Sequence, residues 1–65
     1  MSKKLRLIEA RKLMLDQDYK VGEAAFQVGY VSLSQFNRDY KKLFSHSPKE
    51  DIRKMKELIH ESKNL

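Results

Sequence analysis

Asn37 and Arg38 stand side by side near the middle of this 65-residue chain, with Ser34 one helical turn before them and Lys41 and Lys42 one turn after. An asparagine amide offers one donor and one acceptor at the spacing of an adenine edge, and an arginine guanidinium offers paired donors that match guanine. Lysine ammonium groups suit phosphate oxygens, where charge matters more than shape. At about 100° per residue, Ser34, Asn37, Arg38 and Lys41 fall on one side of a helix. Phe36, Tyr40, Leu43 and Phe44 fall on the other, with Leu33 at the margin. A plain solvated helix face uses the same polar residue types. The pattern gains meaning only if a scaffold aims that face outward.

The scaffold is written in the punctuation of the chain. Ser32, followed three residues later by Gln35, makes a capping box and predicts a helix over 33–44. Ser47, Pro48 and Glu50 mark a second start, which predicts a helix over 48–62. Ile52, Met55 and Ile59 give that helix one apolar side, with Leu58 next to it, and the tail from Ser62 to Leu65 is expected to fray. Upstream, Val21, Ala24, Ala25 and Val28 recur at helical spacing and predict a helix over 21–28. The Ala pair admits a close helix crossing. Gly29 stands where a residue of positive φ ends such a helix. Phe26 lies off the stripe, suited either to cover the turn or to meet a partner.

The first predicted helix, 3–16, has two apolar stripes. Leu7, Ala10, Leu13 and Met14 share one side, while Leu5, Ile8 and Leu15 lie nearly opposite. A helix at the edge of a small domain needs only one. The Leu7 side is therefore expected in the core, and the Leu5, Ile8 and Leu15 side is expected to be open for a second body. Phe36, Tyr40, Leu43, Ala25, Val28, Ile52 and Leu13 are the expected core.

Composition narrows the class. The chain has 14 Lys+Arg against 9 Asp+Glu, a net charge of +5. That balance is the footprint of a nucleic-acid binder, although many basic surfaces are only solvated. One domain is the only sensible count, and its core must be modest. The chain has no cysteine, so no disulfide staples it, which fits a reducing compartment. No apolar run approaches the roughly 18 residues that span a membrane. Arg6, Glu9, Arg11 and Lys12 interrupt the start, so it does not read as a signal peptide. A cytoplasmic protein is expected. His46 and His60 lack metal spacing, and solvent-facing roles are expected for them. Glu57 and Glu61 read as a charged helix surface. With no nucleophile elbow or Gly-rich loop, neither a catalytic site nor a cofactor is expected.

The helix over 21–28, the turn Gly29-Tyr30-Val31-Ser32 and the helix over 33–44 have the proportions of a helix-turn-helix, whose second helix enters the major groove. The expected fold is all-α: a tri-helical, homeodomain-like unit over 20–65, preceded by a linker helix and turn over 1–19, compact as a whole. The expected partner is double-stranded DNA. Leu33, Ser34, Asn37 and Arg38 are assigned to base edges, Leu33 by apolar contact with a thymine methyl. Ser32, Lys41 and Lys42 are assigned to phosphates. The competing reading is a protein-interaction or dimerisation module that uses the open stripe of the first helix. Salt dependence separates the two, because DNA binding weakens steeply with salt.

The stretch from Val21 to Pro48 resembles the second helix-turn-helix of AraC/XylS-type transcription regulators. The resemblance rests on Val21, Ala24-Ala25, Gly29-Tyr30, Ser32, Phe36, Arg38, Tyr40-Lys41-Lys42, Ser47 and Pro48. The preceding LRLIEARKLML is similar to the central helix that joins the two halves of that domain. Two positions depart from the pattern: Ser45, where glycine is frequent, and Asp51-Ile52, where an aromatic and an arginine are usual. The latter looks like a branch that ends Pro-x-x-Asp-Ile/Val. The resemblance implies a bacterial-type regulator from which this chain is a piece, with a first helix-turn-helix half and an N-terminal ligand-binding domain as partners in the full-length protein. It also implies that the Leu5, Ile8 and Leu15 side packs on that absent half.

Overall fold

The structure, a computed structural model, describes residues 2–63, with side chains through residue 58. The expectations for the Ile59, His60 and Glu61 side chains fall outside the described side chains; of the tail, Ser62 and Lys63 continue the last helix, and Asn64 and Leu65 lie outside the described residues. Four helices follow one another: α1 (Lys3–Asp16), α2 (Val21–Gln27), α3 (Leu33–Phe44) and α4 (Pro48–Lys63). No strand occurs among the described residues, so the fold is all-α.

Local chemistry sets the helix ends. Ser32 Oγ accepts the Gln35 N–H at 3.3 Å and starts α3, and Ser47 Oγ accepts the Glu50 N–H at 3.4 Å and starts α4. Ser2 does the same for α1 through the Leu5 N–H. The capping box of α3 is only half made: the Gln35 amide turns away and donates to Asp39 Oδ1 at 3.0 Å. At α2 the reciprocal half is present, with the Lys20 N–H donating to Glu23 Oε1 at 2.9 Å. α2 ends one residue earlier than expected. Val28 becomes its cap, and Gly29 follows at φ +100°. The space around Gly29 is open, so its backbone angle, and not crowding, is what glycine serves there. Two other residues adopt positive φ: Asp18 after α1 and Ser45 after α3.

The core forms where the inner faces meet. Leu7, Ala10 and Met14 of α1, Ala24 and Ala25 of α2, Tyr30 of the turn, and Phe36 and Tyr40 of α3 are all buried. The Ala pair lets α2 lie close against its neighbours, as its small side chains require. Along α3 the aromatic rings form a ladder. Tyr30 meets Phe36 edge-on at 5.2 Å, Phe36 meets Tyr40 at 5.7 Å, and Tyr40 meets Phe44 at 4.4 Å. Burying a ring such as Phe36 is worth about 1.5–3 kcal/mol of transfer free energy, and edge-on pairing adds to it.

Three expected core residues, Leu13, Val28 and Ile52, pack on this cluster but stay half-buried. Leu43 departs further. It is 36% exposed and lines an open groove beside Lys3 and Lys4. The first turn of α1 reaches it only with long charged side chains, so nothing seals it. On α1 the two stripes differ as expected at Leu5, which is 55% exposed, against buried Leu7 and Ala10. Ile8 and Leu15, like Leu13, are half-buried, so the contrast between the two stripes holds at Leu5 alone. On α4, Met55 is half-buried and Leu58 is exposed.

Candidate nucleic-acid interface

α3 is anchored from beneath and bare above. Ser34, Asn37, Arg38, Lys41 and Lys42 are all exposed, as are Ser32 and Leu33 at the helix start. Among the described residues, no side-chain hydrogen bond or ion pair engages Ser34, Asn37, Arg38, Lys41 or Lys42. Their hydrogen-bonding groups are therefore free for an incoming partner. Ser32 Oγ is used as an acceptor in the cap, which leaves its O–H hydrogen to donate elsewhere. Lys41 and Lys42 occupy the last turn, where they also offset the negative end of the helix dipole. The structure thus places every candidate contact residue on the surface along one helix and its cap. Phe26 is 59% exposed, and Val31, within the turn, is 95% exposed.

The aim of this face is set by a carboxylate that sequence reading did not single out as a site. Asp51, in the first turn of α4, is only 5% exposed. The Tyr40 hydroxyl donates to its Oδ2 at 2.5 Å. Arg11 Nη2 donates to its Oδ1 at 3.4 Å. Arg11 Nε lies 3.1 Å from Oδ2 but is poorly aligned for a hydrogen bond, so that contact is ionic. The same guanidinium lies 4.5 Å over the Phe44 ring, a cation–π geometry. One carboxylate therefore ties α1, α3 and α4 together. Burial, and then the bond to Asp51, pushes the Tyr40 hydroxyl far above its ordinary value. Tyr40 remains a neutral donor at any physiological pH.

A second carboxylate fixes the turn. Tyr30 Oη donates to Asp39 Oδ2 at 3.0 Å, Gln35 Nε2 donates to Oδ1, and Lys3 Nζ lies 3.8 Å away. Burial works to raise the Asp39 pKa, but the bonds from Tyr30 and Gln35 and the charges of Lys3 and Lys42 outweigh it, and the group sits below the ordinary carboxylate value. Burial, and then the bond to Asp39, raises Tyr30. Asp51 did leave a trace in the sequence. It falls about 40° from Met55 on a helical projection, inside the apolar arc of α4, and a carboxylate there needs a buried partner.

His46 is half-buried, where a solvent-facing residue was expected, and Glu57 is exposed. Among the described residues no cluster of histidine, cysteine or carboxylate side chains has metal-holding geometry. Among them, too, no helix is long and apolar enough to cross a membrane. No curated protein and no solved structure matches the chain. The family described as helix-turn-helix domain matches residues 1–54. That span includes α2, the Gly29 turn and α3 whole, and with them the start of α4. The chain belongs to the helix-turn-helix domain family, a membership consistent with DNA binding and transcription regulation in general.

Proposed function

We propose that this chain binds double-stranded DNA sequence-specifically, with α3 lying in the major groove. The observation that carries the reading is the unpartnered row Ser34, Asn37, Arg38, Lys41 and Lys42, held opposite the buried Phe36 and Tyr40. Asn37 and Arg38 have the side-chain chemistry for adenine and guanine edges. Ser34 and Leu33 complete the base-facing set. Ser32, Lys41 and Lys42 take phosphates. The finer family reading is an AraC/XylS-type regulator, with residues 1–19 as its central linker helix and turn and 20–65 as its second helix-turn-helix. The exposed Leu5 favours a further body against α1, and a first helix-turn-helix half fits that role. An N-terminal ligand-binding domain and a cytoplasmic location belong to the same proposal.

The test uses the chain, Arg38→Ala and Lys42→Ala, each titrated against a duplex that the wild type has selected from a random pool and against a scrambled duplex. Arg38→Ala is expected to weaken binding to the selected duplex by about 1–3 kcal/mol and to relax preference at one base pair. Lys42→Ala is expected to weaken both duplexes alike and to lower the salt slope by about one. Identical behaviour of the two variants on both duplexes makes Arg38 a phosphate contact. Absence of salt-dependent binding by the wild type favours the interaction-module reading through the open side of α1.

A further inference from the structure

Beside the recognition face lies an open groove of about 340 Å³, lined by Lys3, Lys4 and Leu7 of α1 and by Asp39, Lys42 and Leu43 of α3. Lys3, Lys4 and Lys42 are all exposed. Lys3 reaches Asp39 only at 3.8 Å, and neither Lys4 nor Lys42 forms an ion pair among the described residues. Asp39 brings one negative charge to the lining, but Tyr30 and Gln35 already hold both of its oxygens. The groove therefore presents an excess of positive charge above a floor of buried Leu7 and partly exposed Leu43.

The geometry points to a second, sequence-independent DNA contact: Lys3 and Lys4 clamp the sugar-phosphate backbone of the duplex that α3 reads. Charge complementarity selects a polyanion, and continuity selects this one, because Lys42 belongs both to the groove and to the outer face of α3. The apolar floor suits the deoxyribose between phosphates. A strand lying there runs past the C-terminal half of α3 toward the start of α1. The exposure of Leu43, left unsealed in the fold, then has a use. The clamp rests on the DNA-binding reading, and it adds α1 to a surface otherwise confined to α3 and its cap.

The test is a salt titration of the whole chain on the selected and scrambled duplexes. Each backbone phosphate neutralised contributes about 0.9 to the slope of log affinity against log salt. The double variant Lys3→Ala with Lys4→Ala is expected to lower that slope by about one to two on both duplexes, with the ratio between the duplexes unchanged. The control is Lys54→Ala with Lys56→Ala, which removes two exposed lysines of α4; its slope is expected to stay near wild type. Asp39→Asn is expected to tighten both duplexes alike, because it removes the carboxylate from the groove and keeps an acceptor for Tyr30. Circular dichroism establishes that each variant is folded. A wild-type slope in the Lys3/Lys4 variant overturns the clamp while leaving the reading of α3 intact. An equal loss in the α4 control also overturns it, by reducing the effect to net charge. A wild type with no salt-dependent duplex binding overturns the clamp and the DNA-binding reading together.

Discussion

The two faces of α3 are built on opposite terms. On the inner face Phe36 and Tyr40 have no exposed surface, their rings touch neighbours on both sides, and the one polar atom carried inward, the Tyr40 hydroxyl, is bonded to Asp51. On the outer face Asn37, Arg38, Lys41 and Lys42 are exposed and touch no partner among the described residues. The inner face supplies stability and orientation; the outer face keeps its hydrogen-bonding capacity unspent. Substitutions inside should therefore move folding, and substitutions outside should move binding. Phe36→Ala is the hardest test of that division. It should cost on the order of 3–5 kcal/mol, the usual cost of truncating a core aromatic, which is much of the stability available to so small a domain. Urea denaturation reads the cost, and an unchanged midpoint would remove Phe36 from the load the inner face carries.

Asp51→Asn probes how the inner face is aimed. The amide keeps the carboxylate's shape and an acceptor for Tyr40 but loses the charge opposite Arg11. Breaking a fully buried pair costs about 3–5 kcal/mol. The Arg11 side chain is 28% exposed, so the expected cost is lower, about 1–3 kcal/mol. Because Asp51 lies on no outer face, the salt slope of DNA binding should not change. A stability loss with an unchanged slope keeps the two faces separate. A variant as stable as wild type shows that the ion pair contributes nothing net.

Alkaline titration tests the same face without mutation. Tyr40 and Tyr30 both have raised pKa values in the folded chain, through burial first and then through their bonds to Asp51 and Asp39. A raised phenol pKa means that the neutral form is favoured by folding. That contribution is complete below the unfolded value near 10 and is lost as pH rises past it, by up to about 1.4 kcal/mol per pH unit for each group. Stability should fall beyond about pH 10. Tyr40→Phe, which has no proton to lose, should remove its share of the slope. An identical pH profile for the variant would mean that Tyr40 ionises as freely folded as unfolded.

How much of this was legible depended on range. The starts of α3 and α4 and the end of α2 rest on Ser32, Ser47-Pro48 and Gly29, each acting within a few residues, and the outer face of α3 follows from where that helix starts. The Arg11–Asp51 contact joins residues 40 positions apart, a distance over which periodicity says nothing about pairing. The Leu43 side chain sits on the apolar arc of its own helix, and only the packing of α1 decides that the arc stops short of it. Asp39 likewise reads as one more charged residue until Tyr30, Gln35 and Lys3 converge on it. The outward residues of α3 were readable as a list; the contacts that hold the helix behind them were not.

The smallest expected effect lies where the two faces of α3 end. Ser45 closes the helix with φ 67° and its N–H bonded to Lys41 O at 2.8 Å. For a residue with a Cβ that left-handed conformation is strained, and helices commonly end there on glycine. Ser45→Gly should relieve the strain but also give the unfolded chain more freedom to lose. The strain term is the larger, so a net gain of about 0.5–1 kcal/mol is expected, read as a higher denaturation midpoint. Because Ser45 is exposed and lies beyond Lys41 and Lys42, duplex affinity and salt slope should not move. A lower midpoint would show that unfolded-state entropy outweighs the strain. A change in affinity without a change in stability would instead place the end of α3 in contact with DNA, and the boundary between the two faces would have to be redrawn one residue further along.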